Sequence, residues 1–344
     1  MATLERSAPP PAGPGLVPAA PTGRRSAGQS ARLVLRAVVH RLVAAAVVVL
    51  GAATLAFLGL ALLPGDPVAR LLGPVTTASP AVRAQIRHDY LFDRPVAVQY
   101  LHYLDSLVHL RMGESYQLQQ PVSALLADAL GPTAQLAGAA LALALVGALV
   151  VAVATAGRRR GWRAAATVVE LVAVSTPSFW LGIVLLTIFS FHFRIFPVAG
   201  ADSVSSLVLP AITLALPVGG VLSQVLREGL ETALAEPFVI TARARGLRES
   251  AVRMRHAVRH AALPLVTLTG WLTGTLLGGA VPVETVFGRP GVGALVLDAV
   301  LSRDMPVVMA VVVFSALLFV VLSTLVDLVY LAVDPRLRTV AVAV

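Results

Sequence analysis

An all-helical integral membrane protein with six transmembrane helices is the fold class this sequence predicts, on three observations. Hydrophobic residues make up 57% of the 344 residues, charged residues only 13%, and mean hydropathy is +0.83, far from the balance of a soluble domain. Six stretches between consecutive charged residues are long enough for the roughly 20 apolar residues that carry a helix across a hydrocarbon core of about 30 Å. They are Leu42–Gly65, Ala129–Gly157, Leu171–Phe193, Ser203–Leu226, His260–Val283 and Met305–Val326. These runs are apolar all round, whereas the strands of a β-barrel would alternate over about ten residues.

The chain begins with Pro9, Pro10, Pro11, Pro14, Pro18 and Pro21 among Ala, Gly and Ser. Such a segment cannot bury enough apolar surface to offset the entropy of ordering it. Residues 1–30 are therefore expected to be a disordered cytoplasmic tail, followed by one transmembrane domain over 31–344. The run Leu42–Leu63 is too long, and starts too far into the chain, for a cleavable signal peptide.

All 27 basic residues are Arg, and there is no Lys. Arg24, Arg25, Arg32, Arg36 and Arg41 precede the first run, Arg158, Arg159, Arg160 and Arg163 lie between the second and third, and Arg336 and Arg338 follow the sixth. The loop after the fourth run holds Arg227, Arg243, Arg245, Arg248, Arg253, Arg255 and Arg259. Basic residues are retained on the cytoplasmic side of short loops. These four segments alternate correctly for six crossings, so both termini are expected in the cytoplasm and the chain in the cytoplasmic (inner) cell membrane. The net charge of +9 follows from that rule and implies no nucleic-acid partner.

The opposite side holds residues 64–130, where five Arg are offset by acids such as Asp66, Asp89, Asp93 and Asp105. Pro64, Gly65, Asp66 and Pro67 stop the first helix and turn the chain. From Pro80 to Leu110 the spacing of Val82, Ile86, Tyr90, Leu91, Val96, Tyr100, Leu101 and Leu104 predicts short amphipathic helices broken at Pro95. The result is a small extracytoplasmic cap, which must fold without disulfides because the chain has no Cys.

Most candidate chemistries are excluded. A P-loop needs Lys to reach the β- and γ-phosphates, so this chain does not hydrolyse ATP through a Walker motif of its own. His256 and His260 stand at i and i+4, but no Glu accompanies them and the surrounding Arg residues repel a cation. Gly291 and Gly293 lack the third glycine and preceding strand of a dinucleotide site and read as a turn. Acids near membrane windows are functional candidates by default. Glu170 lies close enough to Arg163 to pair or snorkel, Asp327 near the end of the sixth helix and Glu284 at the outer end of the fifth. None is at a helix midpoint, which favours interfacial or structural roles over a proton relay.

The most informative segment is the basic loop 228–263. Its pattern predicts a helix over Glu236 to Arg245, an interruption at Gly246, and a second helix from Glu249 to Ala262 that ends where Pro264 begins the next crossing. In the second helix Ala251, Met254, Val258 and Ala261 form an apolar stripe, while Arg248, Arg255 and Arg259 share another face. Such a helix can lie on anionic lipid. Thr241, Ala242, Ala244 and Gly246 are small enough to admit another protein surface.

These residues resemble the cytoplasmic loop of binding-protein-dependent ABC transporter permeases, specifically the first permease subunit of the dipeptide, oligopeptide and nickel group. That loop carries a Glu-Ala-Ala motif, then Gly and later Leu-Pro. Here the matching positions are Ile240, Thr241 and Ala242, with Gly246, Leu263 and Pro264 retained and the leading Glu and first Ala absent. Further pieces follow in the expected order: PGDPV at Pro64, DRPVAVQYLHYL at Asp93, Gly113 and Ser115, STPSFWLGI at Ser175 and FPVAG at Phe196. GTLLGGAVPVETVFGRPGVG at Gly274, RDMPVV at Arg303 and VDLVYLAVDPRLR at Val326 complete the set. The likeness covers roughly Arg36 to Arg338; any single piece is weak, and the ordered set is specific.

The resemblance implies a type I ABC importer transmembrane domain, non-catalytic and without a cofactor of its own, ATP and Mg being bound by partner ATPase subunits. Its implied partners are a second homologous permease, two cytoplasmic ABC ATPases, an extracytoplasmic substrate-binding protein and the lipid bilayer. Glu236, Thr241, Ala242, Arg243, Ala244, Arg245, Gly246 and Leu247 would dock in an ATPase groove and pass nucleotide-driven closure to the membrane helices.

The cargo implied is a peptide, nickel or another small polar solute. Thr176, Ser178, Trp180, Gln224 and Thr275 sit at membrane depth and suit either a water-filled path or helix contacts. A secondary carrier is the alternative, and it calls for inverted repeats and a deep acid. A membrane hydrolase would need a convergent nucleophile and base, and His192 has no evident partner in sequence.

Overall fold

The computed structural model describes residues 27–62, 64–66, 68–69, 79–89 and 91–333. Every regular element among the described residues is helical, and the only extended pairing is an isolated bridge between Glu114 and Pro121. The expected tail therefore lies outside the described residues as far as residue 26, as do Pro67, Tyr90, Arg336 and Arg338. Residues 27–30, which the sequence assigns to that tail, already belong to the first helix.

Five helices form the body. They are α1 (Ala27–Ala61), α4 (Val122–Thr155), α7 (Val204–Leu234), α9 (Val258–Val286) and α11 (Met305–Val333). At 1.5 Å per residue each is about 44 to 52 Å long, longer than a hydrocarbon core of about 30 Å. Between α1 and α4 lie two cap helices, α2 (Pro80–Asp89) and α3 (Val96–Val108), divided at Pro95 as the spacing predicts. Thr54 of α1 shares a 2.7 Å hydrogen bond with Tyr100 of α3, and Phe57 stacks on Tyr103, which seats the cap on α1. Burial pushes the Tyr103 phenol up to about 12.

The third hydrophobic window is not one helix. It divides into α5 (Arg160–Ser175) and α6 (Ser178–Leu186, extended by a π-turn over Thr187–His192), whose axes meet at 103°. The break falls at Thr176–Pro177, where Pro clashes with the preceding turn and cannot donate to it. By length and composition four described helices can cross a membrane, or five if the bent pair is one span; the fifth window lies in the 29-residue α9.

The central core joins α4, α7 and α9. Ala140, Ala144 and Ala148 recur every fourth residue along α4 and meet Leu214, Leu222, Leu272, Leu276 and Val283. A methyl added at Gly219 of α7 would lie 3.4 Å from the Ala144 backbone, so small residues set how closely these helices approach. Pro210 and Pro217 lie within α7 without ending it, as do Pro132 in α4 and Pro264 and Pro282 in α9. Neighbouring helices tolerate such interior prolines at membrane depth.

A short apolar helix, α10 (Val292–Ser302), starts within the Gly291–Gly293 stretch that the sequence reads as a turn, and it lies at the cap end. Its 11 residues are too few to cross, and it packs through Val292 and Ala299 on Val122 and Leu126 of α4 and Val307 and Val311 of α11. At the opposite, basic end, Ala152 of α4, Leu226 and Leu230 of α7, and Ala257 and Ala261 form a separate cluster.

Candidate functional site

The basic-end loop leaves α7 at Leu234 and enters α8 (Pro237–Ala244) with Pro237 in its first turn, where a missing N–H costs nothing. The helix ends in a Schellman turn. The Leu247 N–H donates to the Ala242 carbonyl at 3.3 Å, the Gly246 N–H donates to Arg243 at 2.9 Å, and Gly246 has φ +77°. Only a residue without Cβ takes that left-handed position freely.

Two faces of α8 do different work. Val239 and Ala242 are buried against Val252, and Phe238 lies over His260 with ring centroids 4.9 Å apart. Glu236, Thr241, Arg243, Ala244, Arg245, Gly246 and Leu247 are exposed, and beside them Ile240 leaves 69% of its surface uncovered. Ala242 thus serves as the spacer that seats α8 on its own chain and is not part of the outward surface the sequence suggests. Ile240, absent from the expected contact set, is the large apolar residue that this face leaves uncovered.

Beyond the turn, Arg243 Nε reaches Glu249 Oε1 at 2.7 Å across Gly246. The bound guanidinium holds the Glu249 carboxyl below its ordinary value, slight burial working the other way. The second loop helix differs from expectation. A single turn, Glu249–Ala251, passes into a π-turn, Val252–Ala257, and then without interruption through Pro264 into α9. The extra residue in a π-turn rotates everything after it by about 100°. Hence Val252, Arg253, Ala257 and Ala261 are buried, while Met254 of the expected stripe is 49% exposed. Arg253 reaches back to the Val153 carbonyl of α4 at 3.3 Å, a favourable place for a cation at a helix C-terminus. The side chains of Arg255, His256, Leu263 and Asp327 lie outside the described residues.

Above the loop, buried charge ties α5 to α7. Arg227 Nη1 and Nη2 grip Glu170 at 2.7 and 2.5 Å, Ser223 donates its hydroxyl to the same carboxylate, and Arg227 Nη2 also reaches Thr167 at 3.2 Å. Arg163, the partner suggested for Glu170 by sequence, instead pairs with Glu231 at 2.8 Å.

Two more acids are buried at the cap end. Glu284 accepts hydrogen bonds from the Thr133 hydroxyl at 2.6 Å and from the Gly293 and Ala294 N–H groups at 2.8 and 3.2 Å, capping α10 from another helix. Arg289 is only 1% exposed and donates weakly to the Gly200 and Ser206 carbonyls, joining the loop after α6 to the turn before α10. Asp304 accepts from the Ser115 hydroxyl and from the Tyr116 and Gln117 N–H groups, so the 113–121 turn is pinned to the α10–α11 joint.

Each of these carboxylates accepts a hydrogen bond from a Ser or Thr hydroxyl and from a further N–H group or guanidinium, and each ties together segments far apart in the chain. No group of three metal-capable side chains occurs among the described residues. Of the suggested lining residues, Thr176 and Thr275 return their hydroxyls to the Val172 and Leu272 carbonyls. Trp180 is exposed beside the α5–α6 bend, Ser178 opens α6, and Gln224 is half-buried on α7.

Residues 144–339 match the family described as the binding-protein-dependent transport system inner membrane component, and residues 34–137 match its N-terminal companion. A protein of Brucella abortus (strain 2308), provisionally named a peptide transport system permease, is 37% identical over 310 residues, covering 88% of this chain and 98% of its own length. The glutathione transport system permease protein of Salmonella typhimurium (strain LT2) is 36% identical over 306 residues, covering 88% and 99%. That of Pectobacterium atrosepticum is 36% identical over 286 residues, covering 83% and 92%.

Proposed function

The chain belongs to the binding-protein-dependent transport permeases of the inner membrane, and from that premise we propose how it works. It is a permease subunit of an ATP-driven ABC importer, a multi-pass inner-membrane protein that works with ABC partners and a substrate-binding protein. A secondary carrier is not its class.

The finer reading is that α1, α4, the broken α5–α6 pair, α7, α9 and α11 make six crossings with both termini in the cytoplasm. The tail 1–30 precedes a transmembrane domain over 31–344, with 64–130 as the cap and 228–263 as the coupling loop. The chain is non-catalytic. It pairs with a second homologous permease and two ATPases, which bind ATP and Mg, and the cargo is a peptide or a similar small polar solute.

The observation that carries the coupling assignment is the exposed face of α8. Ile240 stands among small residues and Arg243, Arg245 and Arg248, an apolar anchor with a basic rim that suits a groove bordered by carboxylates. Coupling needs a two-state element biased from both sides, and α8 lies in the segment that links α7 to α9. The test is co-purification with a Lys-bearing P-loop ATPase. Wild type is expected to retain it, Ile240→Asp to lose it while still inserting in the membrane, and undiminished capture by Ile240→Asp would refute α8 as the dock.

A further inference from the structure

The contacts between α5 and α7 form a ladder. Arg163, Thr167 and Glu170 lie at i, i+4 and i+7 on one face of α5. Opposite them, in antiparallel order, stand Glu231, Arg227 and Ser223 of α7. At its far end Gly220 lets the backbones close, since a methyl there would lie 3.2 Å from the Glu170 carbonyl oxygen. From Gly220 to Glu231 the ladder covers about 17 Å of α7. Glu170 and Arg227 are 4% and 7% exposed, and a charge pair so far from water holds its geometry tightly when every hydrogen bond is made.

The ladder stops at a line of weakness. On α5 it ends short of Thr176–Pro177, where the chain turns by 103° into α6. On α7 it ends just short of Pro217, which cannot donate to the Thr213 carbonyl and so removes one rung of that helix. Beyond both prolines α7 meets α6 in place of α5, while α4 packs along α7 on both sides of Pro217: a methyl at Gly182 of α6 would meet the Phe287 ring at 3.1 Å and Thr213 at 3.5 Å. One block is therefore α8, the basic half of α7 and α5. The other is α6, the cap half of α7 and the end of α9.

We propose that Glu170 and Arg227 are positioning residues of the transport step. They weld α5 to the basic half of α7, so that displacement of α8 by an ATPase reaches the Pro177–Pro217 line and tilts α6, instead of being lost as slip between helices. This rests on α8 being the docking lever. Without the buried pair, α5 slides against α7 and nucleotide closure no longer moves α6.

Because the chain has no Cys, paired spin labels can be placed at chosen positions in it before it is assembled with its partners. Trp162→Cys with Thr232→Cys spans the ladder, and Val168→Cys with Ile183→Cys spans the Pro177 bend; all four positions lie outside the ladder contacts. On adding ATP with vanadate, the 162–232 distance should stay fixed and the 168–183 distance should change. In Arg227→Met the first distance should broaden and become nucleotide-dependent, while Arg227→Lys, which keeps the charge, should restore a narrower distribution. A 162–232 distance that moves with nucleotide in the intact ladder overturns the proposal while leaving α8 as the lever. Two distances that both ignore nucleotide overturn the lever and the proposal together. If Arg227→Met fails to assemble, the measurement with the native pair still decides.

Discussion

The Glu284 carboxylate lies 2.8 Å from the Gly293 amide nitrogen, in space that a side chain at that glycine would occupy. A methyl there would meet Val281 Cα at 2.6 Å and Glu284 Oε2 at 2.9 Å. Neither can retreat cheaply, because one is backbone and the other caps a helix. Gly293→Ala should destabilise the protein by about 2 to 3 kcal/mol through overpacking. Glu284→Ala should cost a comparable 2 to 4 kcal/mol by leaving buried N–H groups without an acceptor. Thermal unfolding of the detergent-solubilised complex measures both, and an unchanged midpoint for Gly293→Ala would contradict the packing described.

At Gly246 the constraint is of another kind. Nothing lies within 4 Å of where its Cβ would be, yet φ is +77°, which costs an L-residue roughly 1 to 2 kcal/mol. Gly246→Asn should be tolerated, since Asn enters the left-handed region readily. Gly246→Leu should abolish transport with normal membrane insertion, because it strains the Schellman turn and projects into the docking face. Parallel uptake and insertion assays separate these effects; normal uptake by Gly246→Leu would count against the coupling assignment.

These two glycines also mark what could be read in advance. Gly246 was legible because a glycine after a short helical pattern has a local cause. So was the division of the cap at Pro95, and the long apolar helices followed from composition alone. Gly291 and Gly293 read only as a turn, because their purpose is a carboxylate on another helix. The Glu170–Arg227 pair was hidden for the same reason: Arg163 is nearer in sequence, and only the antiparallel packing of α5 on α7 brings Arg227 closer. Proline is ambiguous on its own, since Pro132, Pro210 and Pro217 sit inside continuous helices while Pro177 divides one. The π-turn over Val252–Ala257 has no composition signal, so of the expected stripe only Ala261 is fully buried, Ala251 and Val258 are partly covered and Met254 faces outward.

Asp304 gives a prediction at the cap end. It is 2% exposed and holds the Ser115 hydroxyl with the Tyr116 and Gln117 N–H groups. Asp304→Ala should release the 113–121 turn at a cost of about 2 to 3 kcal/mol, the range for hydrogen bonds to a buried charge. Limited proteolysis should then cut near Gln117 and Leu118 in the variant and spare the wild type. Equal protection in both would mean that the turn is held by its apolar contacts.

The Arg243–Glu249 pair predicts a pH dependence whose sign is fixed. Glu249 has its folded-state pKa held below the ordinary 4.5, chiefly by its hydrogen bond from Arg243, and Arg243 stays charged throughout. A carboxyl with a depressed folded-state pKa binds fewer protons folded than unfolded. Its contribution to the turn is therefore fully present above the ordinary carboxylate value and is lost as pH falls through the lower, folded-state one. Both side chains are about half exposed, so the effect should be small and should weaken further with salt. Hydrogen exchange at the Gly246 and Leu247 amides, corrected for intrinsic rates, reads it directly. Protection should hold near neutrality, decline at acidic pH, and be flat across that window in Glu249→Gln; protection that rose on acidification would show that the pair opposes the turn.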